Sequence, residues 1–179
     1  MEYLQGRGVA FLVLPDPMAE MPEDAARKHG FPVDEVVKTV VMAGRFGHSL
    51  TVIPASRELD IDLAKAALDD PDARPASERD IARSFPDFEN GSLPPLGLFF
   101  MAPLFVDPAV ADREAVVFHV GRMSLAIRMQ THDLFRDDPF VVAPLTAESR
   151  EQGADVVKIP ESEVRTALHA PHGLVPPSE

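Results

Sequence analysis

The chain contains no cysteine. That excludes a disulfide, a thiolate nucleophile and a zinc–thiolate centre under any fold. It also has no apolar run near the length of about 20 residues that a membrane-crossing helix needs, and its opening, MEYLQGRG, does not read as a secretory signal. The expectation is a cytoplasmic protein with no membrane partner. Basic residues are scarce as well. Seventeen Lys and Arg stand against 29 Asp and Glu, for a formal net charge of -12 at pH 7. A protein that coats nucleic acid needs cations to meet phosphates, so such a partner must be met on a small local patch or be presented by another protein. No internal repeat or low-complexity tract is visible.

What is present suffices for one ordinary domain: 179 residues, 45% of them hydrophobic, can bury a sizeable core. The 18 prolines and 10 glycines imply short elements with sharp connections. GVAFLVLPDP (8–17) alternates as a strand that its prolines end. MPEDAARKHG (21–30) reads as a helix, with Pro22 and two acids in its first turn and Gly30 as its stop. EVVKTVVMA (35–43) and HSLTVIPAS (48–56) read as two strands joined by GRFG in a hairpin. Their unbroken β-branched character predicts burial on both faces, hence a central place in a sheet.

Further on, DIDLAKAALDD (60–70) has helical spacing behind an Asp60 cap. SERDIARSF (77–85) forms a second helix, whose Ser77 and Asp80 resemble a capping box. FENGSLPPLG (88–97) reads wholly as loop. LFFMAPLFVD (98–107, broken at Pro103), AVVFHVG (115–121) and SLAIRMQ (124–130) are strand candidates, and a short helix runs from Thr131 through HDLFRD. About six or seven short strands with interspersed helices indicate an α/β class of the α+β kind, a single compact domain on a mixed sheet. That domain is expected over residues 1–145. Residues 146–179 read as a polar, partly ordered extension, with one helix at 160–169 and a proline-rich end.

Two features invite a chemical reading. Lys38 sits alone among the valines of its strand. It either snorkels its ammonium to water along an apolar stem, or brings it to the mouth of a pocket where an anion is held. The loop NGSLPPLG is either a stiff surface turn or a backbone rim for a small substrate. Gly91 and Gly97 would then allow close approach, with Ser92, Leu93, Pro94 and Pro95 held rigid between them. The residues alone leave both pairs of readings open. The six histidines show no metal-ligand spacing and no HExxH, and there is no GxSxG, Walker loop or GxGxxG after a strand. Neither a metal nor a cofactor is expected. His119, inside VVFHVG, is the histidine to single out, as a half-buried core residue or as a hydrogen-bonder facing a pocket.

Taken in order, the segments GVAFLVLPDP, PEDAARKHGFP, VVKTVVM, VIPASRELDI, RPASERDIARSFPDFENGSLPPLG, PLFVDPAVA and VFHVGRMSLAI resemble the YbaK/ProX family of aminoacyl-tRNA deacylases. That family is related to the editing domain of bacterial prolyl-tRNA synthetase, and the resemblance spans roughly residues 4–137. It implies a compact α/β domain with a barrel-like mixed sheet and a cleft for the aminoacylated end of a tRNA. The implied reaction is trans-editing hydrolysis of a mischarged aminoacyl-tRNA, with tRNA for proline as the expected carrier and prolyl-tRNA synthetase as a partner. Lys38 falls on the family lysine and would clamp the terminal nucleotide. Gly91 and Pro95 fall on the family's GxxxP loop, and Gly121 on a late glycine near the pocket. Catalysis would rest on positioning, without a metal or a triad. Asp16-Pro17, Met21, His119 and Arg122-Met123 depart from the family's usual residues at positions that the resemblance places around the amino-acid pocket. A non-catalytic module that binds an aminoacyl group, a nucleotide or a synthetase on the same fold is the alternative. Local cations for tRNA would come from Arg27, Lys28, Arg45, Arg57 or Arg122.

Overall fold

The computed structural model describes residues 2–15 and 27–152. Helix α1 (Glu2–Gly6) and strand β1 (Phe11–Pro15) come first, followed by a 3-10 turn at Val33–Glu35, β2 (Val37–Gly44) and β3 (Gly47–Pro54). Then come α2 (Ile61–Leu68), β4 (Arg74–Pro75), α3 (Glu78–Ser84), α4 (Gly97–Phe100), β5 (Leu104–Val106) and α5 (Pro108–Ala111). The described chain closes with β6 (Ala115–His119), β7 (Leu125–Gln130), α6 (Thr131–Phe135), β8 (Phe140–Val142) and α7 (Ala147–Glu151).

The strands form a mixed five-stranded sheet, ordered β4-β2-β3-β5-β8, and an antiparallel three-stranded sheet, ordered β1-β7-β6. The barrel-like expectation is met only in part. The sheets do not close on each other, and one parallel bridge, Val36 to Val117, joins them. Val37, Val41, Leu50, Val52, Leu104 and Val106 of the larger sheet pack against Val116, Phe118, Ile127 and Met129 of the smaller one. The opposite face of the larger sheet buries Met42, Ile53 and Phe105 against Ala64 of α2 and against Ala143 and Leu145. Burial on two faces accounts for the stretch LTVI of β3, the middle strand of five, where every residue from Leu50 to Pro54 is buried.

Local signals were followed closely. In GRFG, Gly44 pairs with Gly47, which leaves Arg45-Phe46 as a two-residue hairpin loop. Gly47 has φ +108, a conformation that a side chain would disfavour. The loop is anchored from outside, since buried Asp70 accepts the Arg45 N–H at 2.7 Å and its Nε at 3.1 Å. Those bonds to Arg45 hold the Asp70 carboxyl below the usual carboxylate range. Ser77 and Asp80 form the capping box in both directions. The Asp60 carboxylate accepts from the amides of Asp62 (3.0 Å) and Leu63 (3.1 Å), which satisfies two otherwise orphaned donors. Asp60→Ala is therefore expected to lower the unfolding free energy by about 1 kcal/mol, measurable as a drop in the urea midpoint at unchanged slope.

Elsewhere the structure departs from what the sequence led one to expect. The strand expected over 98–107 exists only as Leu104–Val106. Residues Gly97–Phe100 wind into a helical turn that Met101 ends in the left-handed region, at φ 52. A buried carboxylate from far along the chain, that of Asp138, accepts the Leu98 amide at 3.0 Å and so stabilises that turn. Strands β4 and β8 were unforeseen, being two and three residues long. The helix expected at 21–30 lies mostly outside the described residues, as does the one at 160–169. The stop of the first is visible: Gly30 takes φ +76 and its N–H bonds to Arg27 O. Residues Thr146 and Ser149, where the extension was expected to begin, are buried on the domain. Their hydroxyls bond to Asp107, itself fully buried and the cap of α5.

Candidate functional site

The glycine–proline loop and the turn at Gly121 are bonded directly to each other. Gly121 N–H donates to Ser92 O at 2.9 Å, and Glu89 N–H donates to Gly121 O at 3.0 Å. Ser92 closes the loop on itself: its N–H and its hydroxyl both donate to Glu89 O. The Glu89 carboxylate then crosses to the turn and accepts the Met123 N–H at 2.8 Å. Gly91 (φ +83) and Gly121 (φ +77) both occupy the left-handed region that favours glycine. Ser92, Leu93, Pro94, Pro95 and Gly97 are buried, whereas Gly91 is exposed. The loop therefore presents backbone at Gly91 and turns the side chains of the following residues inward, Leu93 and Leu96 into the core.

Gly97 is tied to packing. A β-carbon there would stand 2.8 Å from Ala102 O and 3.0 Å from both Asp138 Oδ1 and Leu104 Cβ. Asp138 is 2% exposed, and burial pushes its carboxyl up to about 6. The amides of Leu98 and Gly97 and the charge of Arg7 pull the other way and lose. This carboxylate fixes the exit of the glycine–proline loop. Nothing local announces that role, because Asp138 reads as one more acid in RDDP.

Lys38 stands on a different element. It is the second residue of β2, opposite Ile53, and by strand alternation it shares a face with Val40 and Met42. Its side chain is 33% exposed, with Nζ 3.5 Å from Glu58 Oε1. The parallel bridge between Val36 and Val117 sets β2 beside β6 in the same direction, so Lys38 and His119 each lie two residues beyond the bridging pair. His119 is 5% exposed, with Nδ1 3.4 Å from Leu125 O. The start of β2 is held by side chains on either hand. Arg128 meets Glu35 through two bonds, at 2.6 and 2.9 Å, and Arg113 pairs with Asp34.

Of the five cations considered for tRNA, Arg45 is engaged by Asp70, and Arg57 donates to Thr146 and Ser149. Arg27, Lys28 and Arg122 are exposed, and Arg122 directly follows Gly121. Asp16-Pro17 and Met21 lie outside the described residues. Among the described residues no group of three or more His, Asp or Glu is placed to hold a metal ion, and no helix is long and apolar enough to cross a membrane.

The family described as the aminoacyl-tRNA editing domain matches residues 16–136, well over half of the chain. The chain belongs to the aminoacyl-tRNA editing domain family. A proline--tRNA ligase from Fervidobacterium nodosum is 33% identical over 82 residues, which are 46% of this chain and 14% of the ligase. The chain thus matches only a small part of that relative's length. Among solved structures, one provisionally described as a trans-editing enzyme for prolyl tRNA synthetase is similar over 80% of this chain and 91% of its own, with TM-score 0.69 and 24% identity. The hypothetical protein APE2540 is similar over 81% of this chain and 97% of its own, with TM-score 0.71 and 24% identity. At that identity the two structures speak to the fold. The editing-domain match includes Lys38, the Gly91–Pro95 loop, His119 and Gly121, and it ends before β8 and α7.

Proposed function

We propose that this editing domain hydrolyses the ester of a mischarged aminoacyl-tRNA, with tRNA for proline as its carrier, acting in trans to prolyl-tRNA synthetase. Membership of the editing-domain family carries the reading, and the likeness to a segment of a proline--tRNA ligase supports the choice of tRNA. In this reading the Gly91–Pro95 loop seats the aminoacyl group against rigid backbone, and Lys38 holds a phosphate or polar group of the terminal nucleotide. Water attacks the ester carbonyl carbon, the bond to the ribose oxygen breaks, and that oxygen leaves with a proton as the free hydroxyl. The ester is already activated, so positioning and a fixed charge can supply much of the barrier reduction. His119 and Gly121 complete the pocket rim beside the loop. With a net charge of -12, most of the grip on tRNA falls to the synthetase, and Arg122 serves as a local cation.

The test is deacylation of tRNA for proline charged with alanine, cysteine or serine, beside correctly charged controls, with and without prolyl-tRNA synthetase. Turnover of a mischarged species, with the correct ones spared, is the expected result. No turnover across the whole set would leave a non-catalytic binding module as the better reading.

A further inference from the structure

A cavity of about 310 Å³ lies at the opposite end of β6 from His119 and Gly121. Ala115 pairs with Gln130 at the cavity, and His119 pairs with Ala126 at the other end. About 13 Å of strand therefore separates the cavity from the glycine–proline loop and its turn. The volume falls at the lower end of the range for small-molecule sites, about 300–1,000 Å³. Ala111 of α5, Phe135 of α6 and Phe140 of β8 give the cavity an apolar side. The two phenyl rings stand 4.6 Å apart, tilted by 36°. Arg113 and Glu114, consecutive in the connection from α5 to β6, line the same cavity with opposite charges. The Thr131 N–H, bonded to Glu114 O at 2.9 Å, ties that connection to the start of α6.

These polar groups have bonding capacity to spare. Arg113 gives Asp34 one of its N–H donors, in a pair whose side chains are 40% and 55% exposed, so the attachment is weak. The Glu114 carboxylate accepts no hydrogen bond among the described residues. The cation it influences, Arg128, is already held by two bonds to Glu35. Thr131 also lines the cavity, is 5% exposed, and has a hydroxyl without a hydrogen-bond partner among the described residues. A buried hydroxyl left unpaired is destabilising, and a polar ligand group can offset that.

The chemistry narrows the occupant. A simple anion meets Glu114 and a net charge of -12, and a simple cation meets Arg113. A plain hydrocarbon would strip water from both charges and replace it with nothing. A zwitterion with a short hydrocarbon matches all three features. We propose that this cavity binds a free α-amino acid with an apolar side chain. Its carboxylate meets Arg113, its ammonium meets Glu114, and its side chain lies against Phe135 and Phe140. Such a site is separate from the glycine–proline loop and does not depend on the reaction proposed there.

Titration calorimetry with L-leucine, N-acetyl-L-leucine and L-leucinamide tests it on the full chain. Leucine is expected to bind. The acetylated compound, which lacks the ammonium, and the amide, which lacks the carboxylate, should each bind at least about tenfold more weakly. Glu114→Gln should weaken leucine by a similar factor without further weakening the acetylated compound, and Arg113→Gln should do the same with respect to the amide. Ala111→Leu, which fills the apolar side, should abolish binding, and melting temperatures show that the variants fold. No binding by the wild type at millimolar leucine would overturn the site. So would leucine binding that survives both Glu114→Gln and Ala111→Leu, which would place the ligand elsewhere. An acetylated compound that binds as tightly as leucine would overturn the zwitterion assignment. None of these outcomes bears on deacylation, which is measured separately.

Discussion

Replacing Lys38 with alanine is expected to lower kcat/KM for the mischarged tRNA by roughly 100- to 1000-fold while barely moving the melting temperature. The second half of that expectation follows from the surroundings of the side chain. The Lys38 side chain is 33% exposed, and that of its partner Glu58 is 96% exposed, at a separation of 3.5 Å. An ion pair so open to water is worth only about 0–1 kcal/mol. Burial of the aliphatic stem beside Val40 adds little that alanine would forfeit at the end of a strand. The first half follows from the role assigned to the charge. A cation fixed on a rigid strand is worth far more against a bound anion in a closed complex than against a solvated glutamate. Glu58→Ala is the matching control, since it frees the ammonium without removing it and should leave activity within about threefold. Lys38→Arg tests geometry: a planar fork on a longer reach does not replace a point charge. If the alanine variant keeps wild-type turnover on the mischarged tRNA, the clamp assignment is wrong and the lysine only snorkels.

How much of this was legible in the sequence depends on the range of the interaction. The caps at Asp60 and Ser77 and the GRFG hairpin rest on contacts within a few residues, and all were readable. The central place of β3 was readable because burial on both faces favours a continuous β-branched stretch such as TVI. The segment 98–107 misled because Leu98, Phe99 and Phe100 have strand composition, while their conformation is set by Asp138, 40 residues away. Strand β8 has only three residues, too few for a period to show. The glycines of the candidate site could be named from resemblance to a family, but the groups that hold them in place could not. Glu89 reaches Met123 across 34 residues, and nothing in ENGSLPPLG announces that reach.

The same long-range contact makes Asp138 a source of pH-dependent stability. With Asp138→Asn as the reference, the wild type is expected to lose about 2 kcal/mol of unfolding free energy between pH 4 and pH 8. The sign follows from where the proton is held more tightly. Burial raises the native carboxyl to about 6 from an ordinary 3.8, so the folded state binds the proton more strongly than the unfolded chain does. The stabilising contribution is complete below the unfolded value and disappears as pH rises through about 6. Above that, the fold carries a buried charge that it solvates incompletely. Oδ1 accepts the Leu98 amide, whereas Oδ2 has no hydrogen-bond partner among the described residues. The charged and titratable groups around it are Arg7, which favours the ionised form, and Tyr3, whose phenol is pushed up chiefly by burial and in part by Asp138 itself. Asparagine keeps the acceptor for Leu98 and removes the titration, so urea titrations of both proteins at several pH values isolate this one group. Parallel stability curves would show that Asp138 titrates normally in the folded protein. Converging curves below pH 5 would show that the domain retains a destabilised carboxylate at neutral pH. Above its pKa that carboxylate makes a charge-assisted bond to the amide at the exit of the glycine–proline loop, stronger than a neutral cap could make. The stability lost at neutral pH would then be the cost of holding rigid the loop on which we propose the aminoacyl group is seated.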